Sequence, residues 1–391
     1  MGSEDNLKEY FDSEEELRHK AQLIAQGLTY SERAVVFCGA GISTKSGIPD
    51  YRSSADTVLE TGPGKWESDD RKAEYAKKKT AVTRKGESAW PNDSHQALAA
   101  FVEKGYVSHI VSQNVDGLLY RAGIPQKSVT EMHGNIYAMR CPNCHKYSWR
   151  DWNVPDWALR NHLTDRQCEC CSNNAKLRDT IVYFGDSLHA PDITKTKEVL
   201  SKSDFILVLG TSLKVAPSNY YVTSRAMALE KDKVAIVNLQ KTNLHNKSYI
   251  EAYGFCDHML KLIAQELHLP LADKTLERIL RLRLGSEPSS KARFEFGSVH
   301  QHKQDQYTDI ECTRGFVLRN TVTGEHRSLS SWPFELDAVD LQAFDSVEFA
   351  FEFLPEQKHQ LDLKALASDK GYLFNFEYDW TVRFKSSTLV D

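Results

Sequence analysis

The chain has 391 residues, enough for two or three domains and at least one large core. It is 41% hydrophobic, 26% charged and 10% aromatic, the balance of a globular protein, and its net charge of -5 argues against binding driven mainly by nucleic-acid phosphates. No apolar run approaches the roughly 20 residues of a membrane-spanning helix, and the polar, acidic segment Met1–Tyr10 does not read as a secretory signal, so an intracellular protein with no membrane partner is expected.

In chain order, Ser13-Glu14-Glu15-Glu16 has the form of a capping box, and Leu17, Ala21, Ile24, Ala25 and Leu28 follow at helical spacing. The run Ala34-Val35-Val36-Phe37-Cys38 predicts a buried parallel strand that enters Gly39-Ala40-Gly41-Ile42-Ser43. Similar runs recur at 109–112, 205–209 and 234–237, with helical stretches near 94–104, 116–122, 191–202, 216–230 and 257–267. This alternation predicts an α/β fold, a Rossmann-type doubly wound parallel sheet. Residues 53–93 are polar and predict a long loop or small subdomain. A charged helix is expected near 272–284, with Gly285-Ser286-Glu287-Pro288-Ser289-Ser290 in a linker. From Phe294 onward, alternation such as Phe349, Phe351, Phe353 and Phe374, Phe376, Tyr378 predicts a mostly β domain. The expected organisation is an N-terminal extension and helix (1–29), an α/β domain (30–270) with a cysteine-bearing module (138–180) and the polar insertion (53–93), a linker (271–290), and a C-terminal β domain (291–391).

Five of the eight cysteines lie between 141 and 171. Cys141-Pro142-Asn143-Cys144 and Cys168-Glu169-Cys170-Cys171 are two C-x2-C knuckles 23 residues apart. That spacing predicts a closed, structural Zn2+ site on Cys141, Cys144, Cys168 and Cys171. Cys170 could compete as a ligand, and His145 and His162 are further alternatives for the fourth position.

A strand running into glycines is a phosphate-binding arrangement, because the backbone can approach a pyrophosphate closely. Alone it is weak evidence, since such turns are common for packing reasons. Here it continues through Gly47-Ile48-Pro49-Asp50-Tyr51-Arg52, and three further motifs follow: Gln113-Asn114-Val115-Asp116, His133-Gly134-Asn135 and Gly210-Thr211-Ser212-Leu213, with Asn238-Leu239-Gln240 closing the next strand. Over residues 30–268 the chain resembles the sirtuin family, whose motifs GAGxS, GIPDFR, QNxD, HGN and GTSL occur in this order. Leu177–Asp186 and Val237–Thr242 are similar to its class IV branch, nearer the sirtuin-seven type. Tyr51 stands where the family more often has Phe, which keeps the aromatic ring and adds a hydroxyl.

The resemblance implies an NAD-dependent protein-lysine deacylase. The acyl oxygen attacks the ribose C1′ as nicotinamide leaves. His133 is the general base that deprotonates a ribose hydroxyl, an imidazole task near neutral pH. Asn114 and Asp116 hold the nicotinamide ribose and ordered water, although both also read as a helix N-cap. Gly39, Ala40, Gly41 and Ser43 cradle the diphosphate. Asp50, Tyr51 and Arg52 belong to a cofactor loop. Gln113, Gly210, Thr211, Ser212, Asn238, Leu239, Gln240 and Cys256 complete the NAD contacts. Glu60, at Rossmann-acid distance from the glycines, reads as a surface charge. An acyl-lysine peptide, with histone tails as the implied source, adds as a strand between 182–186 and 215–218, though 182–186 also reads as a buried strand end. Arg71, Lys72, Lys77, Lys78, Lys79, Arg84 and Lys85 offer a chromatin or nucleic-acid contact or an import signal, with a solvated loop as the blander reading. Nuclear, including nucleolar, location follows from the resemblance. ADP-ribosyl transfer, NAD hydrolysis and a non-catalytic chromatin scaffold are the rival readings.

Overall fold

The computed structural model describes residues 8–78, 81, 89–150, 154, 161–171, 175–271, 275–286, 291–300, 303–311, 316–329, 335–351, 354–363, 372–379 and 384–390. It divides into two compact units, Met1–Asn135 with Ile181–Ala272 and Ile136–Thr180 with Asp273–Asp391.

The first unit opens with helix α1 (Glu14–Tyr30). The Ser13 hydroxyl accepts from the Glu16 amide at 3.2 Å, and the Glu16 carboxylate accepts from the Ser13 amide at 2.7 Å, so the capping box is formed. Its five periodic apolar residues are all buried. Gly27 inside this helix costs intrinsic propensity, but a Cβ there would lie 2.3 Å from the Phe205 ring. Then follow β1 (Ala34–Cys38), α2 (Asp69–Lys78), α3 (Asp93–Glu103), β2 (His109–Ser112), α4 (Leu118–Arg121) and β3 (Val129–Glu131). The second unit interrupts here with β4 (Ala138–Arg140), β5 (Tyr147–Arg150), β6 (Leu163–Gln167) and β7 (Lys176–Asp179). The first unit resumes with α5 (Ala190–Ser201), β8 (Phe205–Leu209), α6 (Ser218–Ala228), β9 (Val234–Val237), β10 (Ile250–Ala252) and α7 (Cys256–Glu266).

Its sheet has the order β10-β9-β8-β1-β2-β3, with every pair parallel. The chain leaves β1 toward β2 and β3, then returns to the other side of β1 for β8, β9 and β10. This is the doubly wound order, with its switch point between β1 and β8. Alternate residues of β1 feed two cores, because both faces are covered. Val36 and Cys38 pack with α1, α3 and α7 residues, and Val35 and Phe37 with Leu200, Val222 and Ala226 on the other face. That two-sided burial is why the strands read as continuous apolar runs. The two short edge strands β3 and β10 carried no comparable run. The insertion contains α2, which its polar sequence did not announce. Among the described residues, no helix is long and apolar enough to cross a membrane.

The rest of the second unit is β11 (Thr275–Ser286), β12 (Lys291–His300), β13 (Lys303–Glu311), β14 (Phe316–Arg319), β15 (His326–Leu329), β16 (Glu335–Asp337), α8 (Ala338–Leu341), β17 (Ser346–Phe351), β18 (Leu354–Asp362), β19 (Tyr372–Asp379) and β20 (Phe384–Val390). One sheet runs β20-β19-β11-β12-β13-β5-β4-β7-β6, with β16 on β12, and a second runs β15-β14-β17-β18. The C-terminal region is therefore antiparallel β, and β13 joins the zinc-module strands through parallel pairing of Ile310 with Trp149.

One expectation is corrected here. The helix near 272–284 and the linker over 271–290 give way to β11, paired antiparallel on both sides, with β12 and β19. The segment Leu280-Arg281-Leu282-Arg283-Leu284 alternates with period two. Its arginines mimicked a solvated helix, and the period identifies the strand. Residues 287–290 of that linker, and Phe353, lie outside the described residues.

Candidate active site and metal centre

The loops leaving β1 and β8 meet at the switch point. The Gly39 amide donates to the Leu209 carbonyl at 3.0 Å, and the Gly41 amide to the Gly210 carbonyl at 2.9 Å. A Cβ on Gly41 would lie 2.6 Å from the Gly210 Cα, and one on Gly39 2.8 Å from the Thr211 Cβ. Gly210 itself has φ of 55°, and a Cβ there would lie 2.7 Å from the Gly41 backbone. The close backbone approach of the two loops therefore already requires these glycines. Beyond Gly39 the chain makes two 3-10 turns, Ala40–Ile42 and Thr44–Ser46. Since the clash at Gly41 is backbone on backbone, Gly41→Ala is expected to destabilise the protein by about 1–3 kcal/mol. Thermal denaturation checks this, and an unchanged melting temperature would refute the steric account.

Ser43 is the hub of a buried cluster. Its hydroxyl donates to Asp116 Oδ2 at 2.7 Å and accepts from Asn114 Nδ2 at 3.2 Å. His95 Nε2 lies 3.4 Å from the same hydroxyl. His95 is fully buried, which lowers it to about 4 and keeps it neutral. Its Nδ1 lies 3.2 Å from the Asn92 amide and 2.9 Å from Asn92 Oδ1, and its Nε2 faces Ser43. Asp116 Oδ1 also accepts from the Leu118 amide at 3.0 Å, but the N-cap position of α4 is Gly117, so Asp116 does not head that helix as the N-cap. His95 escaped the sequence reading. Its only local signal was the Asn92 N-cap of α3, whose capping box it closes.

Gln113 ties this cluster to His133. Its backbone carbonyl accepts from His133 Nδ1 at 2.9 Å. Its side chain accepts from Thr211 Oγ1 at 2.8 Å and donates to Ser218 Oγ at 2.9 Å. A carbonyl can only accept, so Nδ1 of His133 carries the proton and Nε2 presents the lone pair in the neutral ring. Burial lowers the His133 pKa from the usual 6.5, against the opposing effect of the Gln113 bond. The turn after His133 is held by Asn135, whose Nδ2 donates to both oxygens of half-buried Glu131 at 2.8 and 3.0 Å. Burial pushes the Glu131 carboxyl well up.

Asp50, Tyr51 and Arg52 form a separate hydrogen-bonded loop. Asp50 accepts from the Ser53 hydroxyl at 2.6 Å and amide at 3.1 Å, while burial raises its pKa. The Arg52 guanidinium lies 4.5 Å over the Trp66 ring, and its Nε is buried with no hydrogen-bond partner among the described residues. A buried cationic donor of this kind suits an anionic ligand such as a diphosphate. Tyr51 and Phe184 both pack on Trp66, at 5.2 and 5.4 Å between ring centroids. Asn238 turns its Nδ2 onto the Gln240 carbonyl at 2.7 Å, and Leu239 offers its carbonyl to the Tyr10 amide at 2.8 Å. Cys256 begins α7 and is buried, its thiol directed at the Val237 carbonyl at 3.8 Å. Ser212 lies on the loop between β8 and α6, beside Thr211.

Several other expectations meet plain outcomes. Residues 182–186 are no buried strand end. Val182 donates to the His133 carbonyl at 3.0 Å, and Tyr183 and Phe184 are exposed in a turn closed by Asp186. Turn geometry, with Gly185 at φ of 100°, overrode the apolar run. In the basic stretch, Arg71 pairs with Asp56 at 3.1 Å and Lys78 with Glu74 at 2.7 Å, as a solvated surface would. Lys79, Arg84 and Lys85 lie outside the described residues. Glu60 is an exposed partner of Lys45 at 3.0 Å.

In the second unit, the Sγ atoms of Cys141, Cys144, Cys168 and Cys171 all lie within 4.8 Å of one another. The pairs Cys141–Cys171 and Cys144–Cys168 are 3.6 Å apart. A tetrahedral zinc with bonds of about 2.3 Å needs sulfur edges of about 3.8 Å, so the set fits Zn2+. Amides of Asn143 and Cys144 donate to Cys141 Sγ at 3.4 and 3.5 Å. Burial raises the Cys141 thiol, but these donors and the neighbouring thiols outweigh it and lower it, while Cys168 and Cys171 in the same set are raised. Cys170 is exposed and outside the cluster, and His162 pairs with Asp179 at 3.1 Å instead. The four-cysteine reading stands over its alternatives.

The Sir2 family pattern matches residues 39–217. The chain is 34% identical over 299 residues to NAD-dependent protein deacetylase sirtuin-7 of Mus musculus, covering 72% of this chain and 69% of that protein. It is 31% identical over 291 residues to NAD-dependent protein deacetylase SRT1 of Arabidopsis thaliana, covering 74% of this chain and spanning 58% of that relative. A solved structure described as Sir2 bound to acetylated peptide aligns at 26% identity and a TM-score of 0.46, over 63% of this chain and 98% of that one. With the doubly wound sheet, the glycine contact at its switch point, the Gln113–His133 pair and the four-cysteine cluster already in place, the family pattern and the likeness to sirtuin-7 put this chain in the Sir2 family.

Proposed function

We propose that this chain is an NAD-dependent protein-lysine deacylase in which His133 is the catalytic base. The observation that carries the reading is the Nδ1 bond from His133 to the Gln113 carbonyl, made beside the Ser43–Asn114–Asp116 cluster. NAD, when bound, would supply the ribose carbon that takes up the acyl oxygen as nicotinamide leaves. His133 Nε2 would take the proton of a ribose hydroxyl, whose oxygen bonds to the acyl carbon, and water would then release the free lysine and the acylated ADP-ribose. Asn114 and Asp116, oriented through Ser43, hold the ribose and a water. Gly39, Ala40, Gly41 and Ser43 border the diphosphate, with Arg52 as its charge partner. Gln113, Thr211, Ser212, Asn238, Leu239 and Gln240 line the remaining NAD path. Cys256 packs behind it. The acyl-lysine segment lies along 182–186 and 215–218. Histone tails as substrate, contact with chromatin and nuclear location belong to the same proposal, on the likeness to sirtuin-7.

The test is mass spectrometry of an acetylated, and separately a long-chain acylated, histone peptide with and without NAD. Acyl loss only with NAD, together with acyl-ADP-ribose, supports the reading. NAD consumption with the peptide still acylated would replace it with ADP-ribosyl transfer or NAD hydrolysis. The pH profile gives a second check. A base must be unprotonated, and burial depresses the His133 pKa, so its neutral form persists below the usual 6.5. The acid limb of kcat/KM is therefore expected to fall below pH 6.5. An acid limb well above that value would assign the base elsewhere.

A further inference from the structure

The segment before α1 is more than a tail. Asp12 anchors it: its amide donates to the Tyr253 carbonyl at 2.8 Å, and its Oδ2 accepts from the Tyr253 amide at 2.8 Å. Lys20 on α1 grips the same carboxylate at 2.6 Å, and the capped start of α1 follows directly at Ser13. From this fixed point two residues reach other loops. Tyr10 donates its amide to the Leu239 carbonyl at 2.8 Å, and Lys241 sits 5.0 Å over its ring. Glu9 spends both carboxylate oxygens on the insertion that follows Arg52. Oε1 accepts from the buried Thr57 hydroxyl at 2.7 Å, and Oε2 accepts from the Val58 amide at 3.0 Å.

One short strap thus bonds to two segments that are far apart in sequence. One continues the Asp50–Arg52 loop, and the other is the Asn238–Gln240 turn. Arg52, which leads into the first, and the Asn238–Gln240 turn are assigned to NAD in the proposed function, on which this inference rests. We infer that Glu9 is a positioning residue for NAD. Its charged double acceptance sets the insertion loop, while the neighbouring Tyr10 amide sets the Leu239 turn, so that a single anchored strap fixes both. A carboxylate accepting a hydroxyl and an amide at once is a directional, charge-assisted contact, stronger than a neutral one. It acts on loop placement and touches no reacting atom.

The experiment uses the full chain, an acetylated peptide and NAD, with Glu9→Ala, Glu9→Gln, Thr57→Val and the double variant Glu9→Ala/Thr57→Val. Losing the charge-assisted pair is expected to raise the KM for NAD about tenfold in Glu9→Ala, with kcat at saturating NAD and the peptide KM changed by less than about twofold. Glu9→Gln keeps one acceptor oxygen and is expected to recover part of the loss. Thr57→Val is expected to move the same constant the same way, and the double variant to fall short of the product of the two singles. If Glu9→Ala does not fold, Thr57→Val carries the same KM split. A wild-type KM for NAD in Glu9→Ala overturns the inference. So does a parallel change of kcat and both KM values with a lowered melting temperature, which marks a residue of the fold only. If the wild-type chain neither binds nor consumes NAD, the deacylase reading and the strap fail together. If it turns NAD over and the variants match it, only the strap fails.

Discussion

His133→Ala is expected to lower deacylation by about two to four orders of magnitude, the usual size of a general-base contribution. Binding of NAD is expected to remain, because the glycine contact, the Ser43 cluster and the Arg52 loop are built without the imidazole. The geometry makes the prediction specific. Nδ1 is committed to the Gln113 carbonyl at 2.9 Å, so the ring cannot present its other tautomer without breaking that bond. Mass spectrometry of peptide and nucleotide products, with NAD affinity measured by calorimetry, separates the two effects. A variant within about tenfold of wild type would mean that another group takes the proton. Loss of NAD binding along with activity would mean that His133 is needed to hold the site together.

The second large effect concerns the zinc module. Cys141→Ser is expected to abolish zinc binding and unfold the segment around 136–180. Structural zinc contributes on the order of 10–16 kcal/mol in small modules, far more than the buried set of Met139, Val154 and Leu177 can replace. A closed set of four protein ligands leaves no open position for chemistry, so the loss is one of folding. Cys170→Ser is the matched control, since Cys170 lies outside the cluster, and it is expected to keep one zinc per chain. Metal analysis by mass spectrometry together with limited proteolysis reads both outcomes. Zinc retained in Cys141→Ser, or lost in Cys170→Ser, would redraw the ligand set.

Local pattern carried a good deal of this molecule. The four long strands of the parallel sheet were legible because each is buried on both faces, which leaves an uninterrupted apolar run. The Ser13 box was legible because its donors and acceptors lie three residues apart. The cysteine knuckles were legible because a tetrahedral ion imposes its own spacing. The errors share a cause. In β11, the alternating arginines of the sequence resembled the charged face of a helix, and the partners that settle the matter, β12 and β19, lie on later parts of the chain. Around Tyr183 an apolar run suggested burial, where a glycine turn exposes the aromatic residues.

What the sequence by itself determined is therefore chemistry and local shape: which residue types are present, how far apart they sit, and which short segments prefer strand, helix or turn. The family motifs belong to that class, and so do the two cysteine knuckles, whereas the folded cluster is what sets Cys170 aside. Only the tertiary structure decided the rest. It placed Gly41 against Gly210, residues 169 positions apart, through the crossover that puts β8 beside β1. It brought His95 to Ser43, Gln113 to Thr211 and Ser218, and Glu9 to Thr57. None of these pairs has a periodicity or spacing that a linear reading can detect. Each exists because burying apolar faces on both sides of one twisted sheet fixes the directions in which its loops leave, and the polar side chains on those loops then bond to whatever that geometry sets within reach.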